Sequence, residues 1–145
     1  FVPTASQNIV VKTGHTVTLT QATTIGSLTV ESGAIMDFAG FDVEIVGVVQ
    51  IDGTLNVNAS HVTFSGTCNQ TVCGNIAFED LTINNANGVT LTCGVVSVAD
   101  VLDLESGVLD VSGATSFTLT SNGASDNTAS IDDSGSGSLA GPVTV

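Results

Sequence analysis

Carboxylates are the abundant reactive side chains of this sequence: 14 Asp and Glu stand against one basic residue, Lys12. Hydrolysis of a glycosidic bond needs two carboxyl groups about 5–10 Å apart across a cleft. Asp100, Asp103 and Glu105 could furnish such a pair, as could Asp103 and Asp110 on adjacent faces of a strand-rich fold. Sugar-cleaving sites usually add aromatic platforms, and the chain has no Trp and no Tyr. Eliminative cleavage of a polysaccharide calls for a strong base, commonly Arg or Lys, beside acidic calcium ligands. Lys12 alone, in a turn near the start of the chain, does not meet that need. No residue is therefore assigned a catalytic role.

Calcium is the ligand that suits these side chains best. Asp126, Asp132 and Asp133 lie in a Gly/Ser-rich stretch whose backbone carbonyls could complete an oxygen shell. The spacing matches no EF-hand, so the competing expectation is a set of solvated acidic turns. His15 and His61 are 46 residues apart in the sequence, at turn or strand starts, and read as solvated histidines rather than ligands. Outward Thr pairs at Thr16/Thr18, Thr90/Thr92 and Thr118/Thr120 are too few to make an ice-binding plane.

The three cysteines are Cys68, Cys73 and Cys93. Cys68 and Cys73 flank a short polar stretch, and a local disulfide between them is expected, in keeping with an oxidising compartment. So small a loop would contribute roughly 2 kcal/mol at most. Cys93 continues the alternation Val89, Leu91, Cys93 and is expected as a buried free thiol behaving as a small hydrophobe. Three cysteines at these spacings, with two distant histidines, do not form a zinc ligand set.

The charge balance excludes whole classes of partner. Net charge is −13 at pH 7, although only 10% of residues are charged and 42% are hydrophobic. One basic side chain cannot neutralise a phosphate backbone, so nucleic acid is excluded. Adhesion to an anionic membrane surface fails for the same reason, and no run of 18 apolar residues exists to insert into a membrane. The apolar fraction suits a folded core rather than a disordered chain.

Short strands must position these groups. The recurring unit is apolar–polar–apolar followed by a turn, as in Val43-Glu44-Ile45, Val49-Gln50-Ile51, Leu55-Asn56-Val57 and Val62-Thr63-Phe64. Period-two alternation points every second side chain into a core. Triplets beginning at Val43, Val62, Leu81 and Leu102 recur at 19, 19 and 21 residues. Repetition at such a period marks stacked coils. The expected fold is all-β: a right-handed parallel β-solenoid of about 20 residues per coil, one unit over residues 1–145. Sandwich strands usually run about five or six residues, longer than these. Asn-Gly and Asp-Gly pairs are also hairpin signals, which keeps a β-sandwich as the alternative. Residues 66–77, with two cysteines, are expected as a protruding loop. Residues 121–141, rich in Ser, Gly and Asp, are expected as a looser coil.

Several stretches resemble a known family. "EDLTINNANGVTLTCGVVSVADVLDLESGVLDV", "GTLNV" and "SGSGSLAGPVTV" are similar to the repeats of large cell-surface proteins of the Bacteroidota. Those proteins are exported by the type IX system and include gliding-motility and adhesin-like members. The resemblance runs from about Val2 to Val145 and rests on strand and turn residues, so it carries over no catalytic position. It implies an extracellular, cell-surface setting and a structural or adhesive role as a stalk, adhesin or filament segment. A glycan-binding module is the alternative. The implied partners are flanking domains of the same chain, neighbouring copies stacked end to end, or surface glycans. The chain starts at Phe1 and ends in the strand-like Pro142–Val145, which fits the expectation of a segment from a longer protein.

Overall fold

The structure is a computed structural model, described over residues 7–120 and 129–145. Its strands are β1 (Gln7–Val11), β2 (Thr16–Thr18), β3 (Thr23–Val30), β4 (Ile35–Asp37), β5 (Val43–Ile45), β6 (Val49–Ile51), β7 (Thr54–Asn56), β8 (His61–Phe64) and β9 (Gln70–Gly74). They continue as β10 (Ile76–Phe78), β11 (Asp80–Asn84), β12 (Val89–Cys93), β13 (Val95–Val98), β14 (Val101–Ser106), β15 (Val108–Asp110), β16 (Ser116–Leu119), β17 (Ser130–Asp132) and β18 (Ser138–Ala140). All strand pairs between these elements are parallel. The chain is thus a β-solenoid of about 6 turns, roughly 20 residues apart, as the triplet spacing predicts.

Three faces line the rod. The first stacks the start of β3 with β5, β8, β11, β14 and β17. The second stacks β1, the end of β3, β6, β9, β12, β15 and β18. β3 joins the two faces because Thr23–Ile25 pair with β5 while Leu28–Val30 pair with β6. The third face consists of two separate sheets, β2-β4-β7 and β10-β13-β16.

Register converts the sequence alternation into columns. Ile25, Ile45, Phe64, Ile83 and Leu104 stack one above another inside the first face, and each is at most 2% exposed. Val43, Val62, Leu81 and Leu102 form a second inward column beside them. Full burial of one such side chain stabilises by about 1.5–3 kcal/mol, so these columns are a substantial part of the core. Phe64 and Phe78 meet edge to face with ring centroids 6.3 Å apart and tie the first face to the third.

The third face breaks because the corners of the coil change length. Residues 52–53 separate β6 from β7, but Asn75 alone separates β9 from β10, and Gly94 alone separates β12 from β13. After the third face, residues 57–60 precede β8, whereas Glu79 alone precedes β11. The third strand therefore moves sideways between one coil and the next. A depression of about 450 Å³ opens at the step, between Leu55, Ile76 and Val95. Shorter corners demand special backbone: Gly94 has φ +90°, and a Cβ there would run into the carbonyl of Gly74.

The segment expected as a protruding loop, 66–77, is largely part of the coil. It contains β9, and β10 begins within it, each paired in register with a neighbour. Residues 65–69 alone make the widened corner between β8 and β9. Of the expected looser coil, 121–128 lie outside the described residues, and 129–141 carry β17 and β18 on the ends of their faces.

Candidate functional site

Outward positions of the first face form the richest cluster of polar side chains. Thr24, Glu44, Thr63, Thr82, Asp103 and Asp132 are successive register partners, one per coil. Asp80 is the partner of His61 in a second outward column, and the His61 backbone N–H donates to Asp42 Oδ1 at 3.4 Å. Two depressions run along these columns. One of about 530 Å³ is bounded by Gln21, Asp42, Glu44, His61 and Thr63. The other, about 210 Å³, is bounded by His61, Asp80, Thr82, Val101 and Asp103. His61 lines both, and this pair of adjoining depressions is the trough of the first face.

Local hydrogen bonds fix the trough walls. Glu44 accepts from Ser65 Oγ at 2.6 Å and from Thr24 Oγ1 at 2.8 Å. These hydroxyls, Ser65 first, hold its carboxyl below the ordinary Glu range. His61 Nε2 lies 2.7 Å from Thr82 Oγ1, which itself is buried. Asp80 Oδ1 accepts from the Val101 N–H at 3.3 Å. Chemically, the trough offers carboxylates, hydroxyls and one imidazole, with different groups on successive coils.

The other sequence-expected carboxylates are dispersed. Asp103 faces outward from β14 on the first face, while Asp110 belongs to β15 on the second, beyond the Gly107 corner. Asp100 lies in the turn before β14. Asp110 accepts from the Ser112 N–H, and Ser112 lowers its carboxyl below the usual range. Of the expected calcium ligands, Asp126 lies outside the described residues. Asp132 closes β17 and accepts from the Ser134 N–H at 2.9 Å, which lowers its carboxyl; Asp133 follows it. Among the described residues no group of three or more His, Cys, Asp or Glu is arranged to hold a metal ion. His15 sits in the turn before β2, on a different part of the rod from His61.

The disulfide expectation is corrected. Cys73 pairs with Cys93, their Cα atoms 4.7 Å apart, and Cys68 is free and exposed. Cys68 lies in the 65–69 corner before β9, whereas Cys73 is inside β9 and faces its register partner Cys93 on the adjacent coil. Cys93 is likewise neither a free thiol nor part of the inward alternation. The register slips between Leu91 and Cys93, so Thr92 is an extra residue and Cys93 turns outward onto Cys73. The bond staples two adjacent coils on the outside of the second face.

A buried amide network was missed entirely by the sequence reading. Gln70 and Asn85 are each 1% exposed. Gln70 Nε2 donates to the carbonyls of Ile45 and Gly47, both at 2.8 Å, and its Oε1 accepts from the Gly66 N–H. Asn85 Nδ2 donates to Gln70 Oε1 and to the Cys68 carbonyl, and its Oδ1 accepts from the Asn87 N–H. The network satisfies the backbone of the widened 65–69 corner, where ladder bonds are lost. A polar Gln at the phase occupied by Val89 and Leu109 in the next coils was the available signal.

No protein-family model, no curated protein and no solved structure matches the chain.

Proposed function

We propose that the chain is a structural or adhesive module of a large secreted cell-surface protein, a stalk segment that holds other domains away from the surface. The observation that carries this reading is the continuous parallel stacking of the first and second faces through the rod. Such stacking makes each coil the template for the next, so length and stiffness come from repetition rather than from a bound ligand. About six coils at roughly 4.8 Å give a rod on the order of 30 Å. A disulfide between coils suits an oxidising, extracellular setting, and the resemblance to Bacteroidota surface proteins supports the same location. Flanking domains or further coils would cover the strand edges of the first and last coils, which otherwise invite end-to-end pairing of copies.

Rigidity is the property to measure. Spin labels placed at Thr18 in β2 and Ser138 in β18 should give a single narrow distance distribution by pulsed electron resonance. The same distribution should persist when a folded domain is fused to either end. A broad or bimodal distribution would show a hinge and would remove the stalk reading.

A further inference from the structure

We propose that the step on the third face binds an extended, basic polypeptide segment, which adds as a strand to the free edge of β7. This goes beyond the stalk role and does not depend on it. Among the described residues, the ladder of the third face breaks between β7 and β10, which are the facing edges of two separate sheets. The break has a geometric cause. Ile51 and Gly74 are register partners, as are His61 and Asp80. Residues 52–60 join Ile51 to His61, whereas residues 75–79 join Gly74 to Asp80, a path four residues shorter. The longer path between matched points bows outward, so β7 overhangs β10.

The backbone at the overhang specifies its occupant. The Thr54 N–H donates to the Ala34 carbonyl, and the Asn56 carbonyl accepts from the Phe38 N–H, both at 2.9 Å and both on the β4 side. Successive strand residues direct their N–H and C=O groups to opposite edges, so Leu55 turns both of its groups away from β4 and into the step. On the far side, the Phe78 carbonyl accepts from the Ala99 N–H at 3.0 Å, on the β13 edge of β10. By the same rule Ala77 directs its groups to the edge that faces the step. An open edge of donors and acceptors at strand spacing is matched by another extended backbone. The depression of about 450 Å³ lies beside it, bounded by Leu55, Ala77, Val95 and Ser97. Val95 is 50% exposed there. This uncharged floor takes the alternate apolar side chains of the added strand. The lower coils of the same rod continue beneath the overhang, so a second rod cannot stack on this edge and a single extended segment can.

Charge selects the sequence of that segment. Asp52 lies in the corner before β7 and Glu79 in the corner after β10, at opposite ends of the step. The chain's single Lys, Lys12, is elsewhere, against Glu31, and net charge is −13. A strand with an apolar alternation and lysine at each end is drawn in, and an acidic one is repelled.

Calorimetric titration of the whole chain with the blocked heptapeptide KTVTVTK tests the proposal. Saturable binding at one site per chain is expected, with slowed hydrogen exchange at the Leu55 N–H. Val95→Lys, at an exposed position, should weaken binding at least about tenfold, because it places a like charge in the apolar floor. Val108→Lys adds the same charge at an exposed position on the second face and should change binding less than about twofold. Two further peptides carry methyl groups on the backbone nitrogens of either the valines or the threonines. At least one of them should bind about tenfold or more weakly, since one of these two sets of N–H groups faces β7. The peptide ETVTVTE should also bind at least about tenfold more weakly. Absence of saturable binding overturns the proposal, as does unchanged exchange at Leu55 in the saturated complex. Full tolerance of both methylated peptides, or equal binding of ETVTVTE, overturns it too. A Val108→Lys loss as large as that of Val95→Lys would show diffuse attraction to an acidic rod and would have the same force. None of these outcomes bears on the stiffness of the rod.

Discussion

Cys73 and Cys93 occupy matched outward positions on adjacent coils, 20 residues apart in sequence and 4.7 Å apart between Cα atoms. Closing a loop of that size restricts the unfolded chain by about 3 kcal/mol in the chain-entropy treatment. Reduction, or replacement of both cysteines by Ala, should therefore lower stability by about that amount, read as a shift in urea midpoint at unchanged slope. Alkylation of the native protein without reductant should label Cys68 alone. Labelling of Cys73 or Cys93 in the folded chain would contradict the pairing.

Gly94 tests the tight corner between the second and third faces. Its φ is +90°, and an added Cβ would meet the Gly74 carbonyl. Gly40 has nearly the same φ, +81°, with nothing within 4 Å of its Cβ position. Gly40→Ala should cost about 1 kcal/mol, the backbone penalty alone. Gly94→Ala should cost at least about 2 kcal/mol more, because two coils must separate to admit the methyl group. Equal losses in thermal melts would mean that the corner is looser than its geometry.

Ser60 gives a prediction of the opposite sign. It is fully buried, and its Oγ has no hydrogen-bond partner. Removing an unsatisfied buried hydroxyl returns its desolvation cost, so Ser60→Ala should stabilise the chain by about 1 kcal/mol. A destabilised variant would mean that the hydroxyl has a partner in solution. Asn85→Ala should do the reverse: it removes the buried bond to Gln70 Oε1 and the part-buried bonds to the Cys68 carbonyl and the Asn87 N–H, at about 1–3 kcal/mol in all. Hydrogen exchange at residues 66–69 should accelerate in that variant ahead of the rest of the rod.

The fold was legible because its information is periodic. Val43, Val62, Leu81 and Leu102 announce the coil length, and the structure stacks them in one column. The disulfide was legible by the same rule, since Cys73 and Cys93 are one coil apart, but proximity in sequence favoured Cys68. What period-two alternation cannot show is where it slips. The extra residue Thr92 turns Cys93 outward, and nothing in its side chain marks a bulge. The trough was hidden for a related reason. Glu44, His61 and Asp103 are scattered along the chain, and register alone brings them to one face. Gln70 fell in the stretch expected to protrude as a loop, and Asn85 was not singled out, because the corner they support departs from the regular coil.

Glu44 supplies the pH dependence. Hydrogen bonds from Ser65 and Thr24 hold its folded-state ionisation below that of the unfolded chain. A carboxyl lowered in the folded state contributes stability that is fully present above its unfolded value, near 4.3, and is lost as pH falls through the folded value. Protonation elsewhere works the other way, because it relieves repulsion in a chain of net charge −13. The difference between wild type and Glu44→Gln isolates the first effect, since both share the second. Wild type should melt higher at pH 6–7, and the gap should close progressively below about pH 4. A gap that stays constant down to pH 2 would assign the loss to packing of the amide rather than to the charge. The two hydroxyls would then be spectators of Glu44 instead of its anchors.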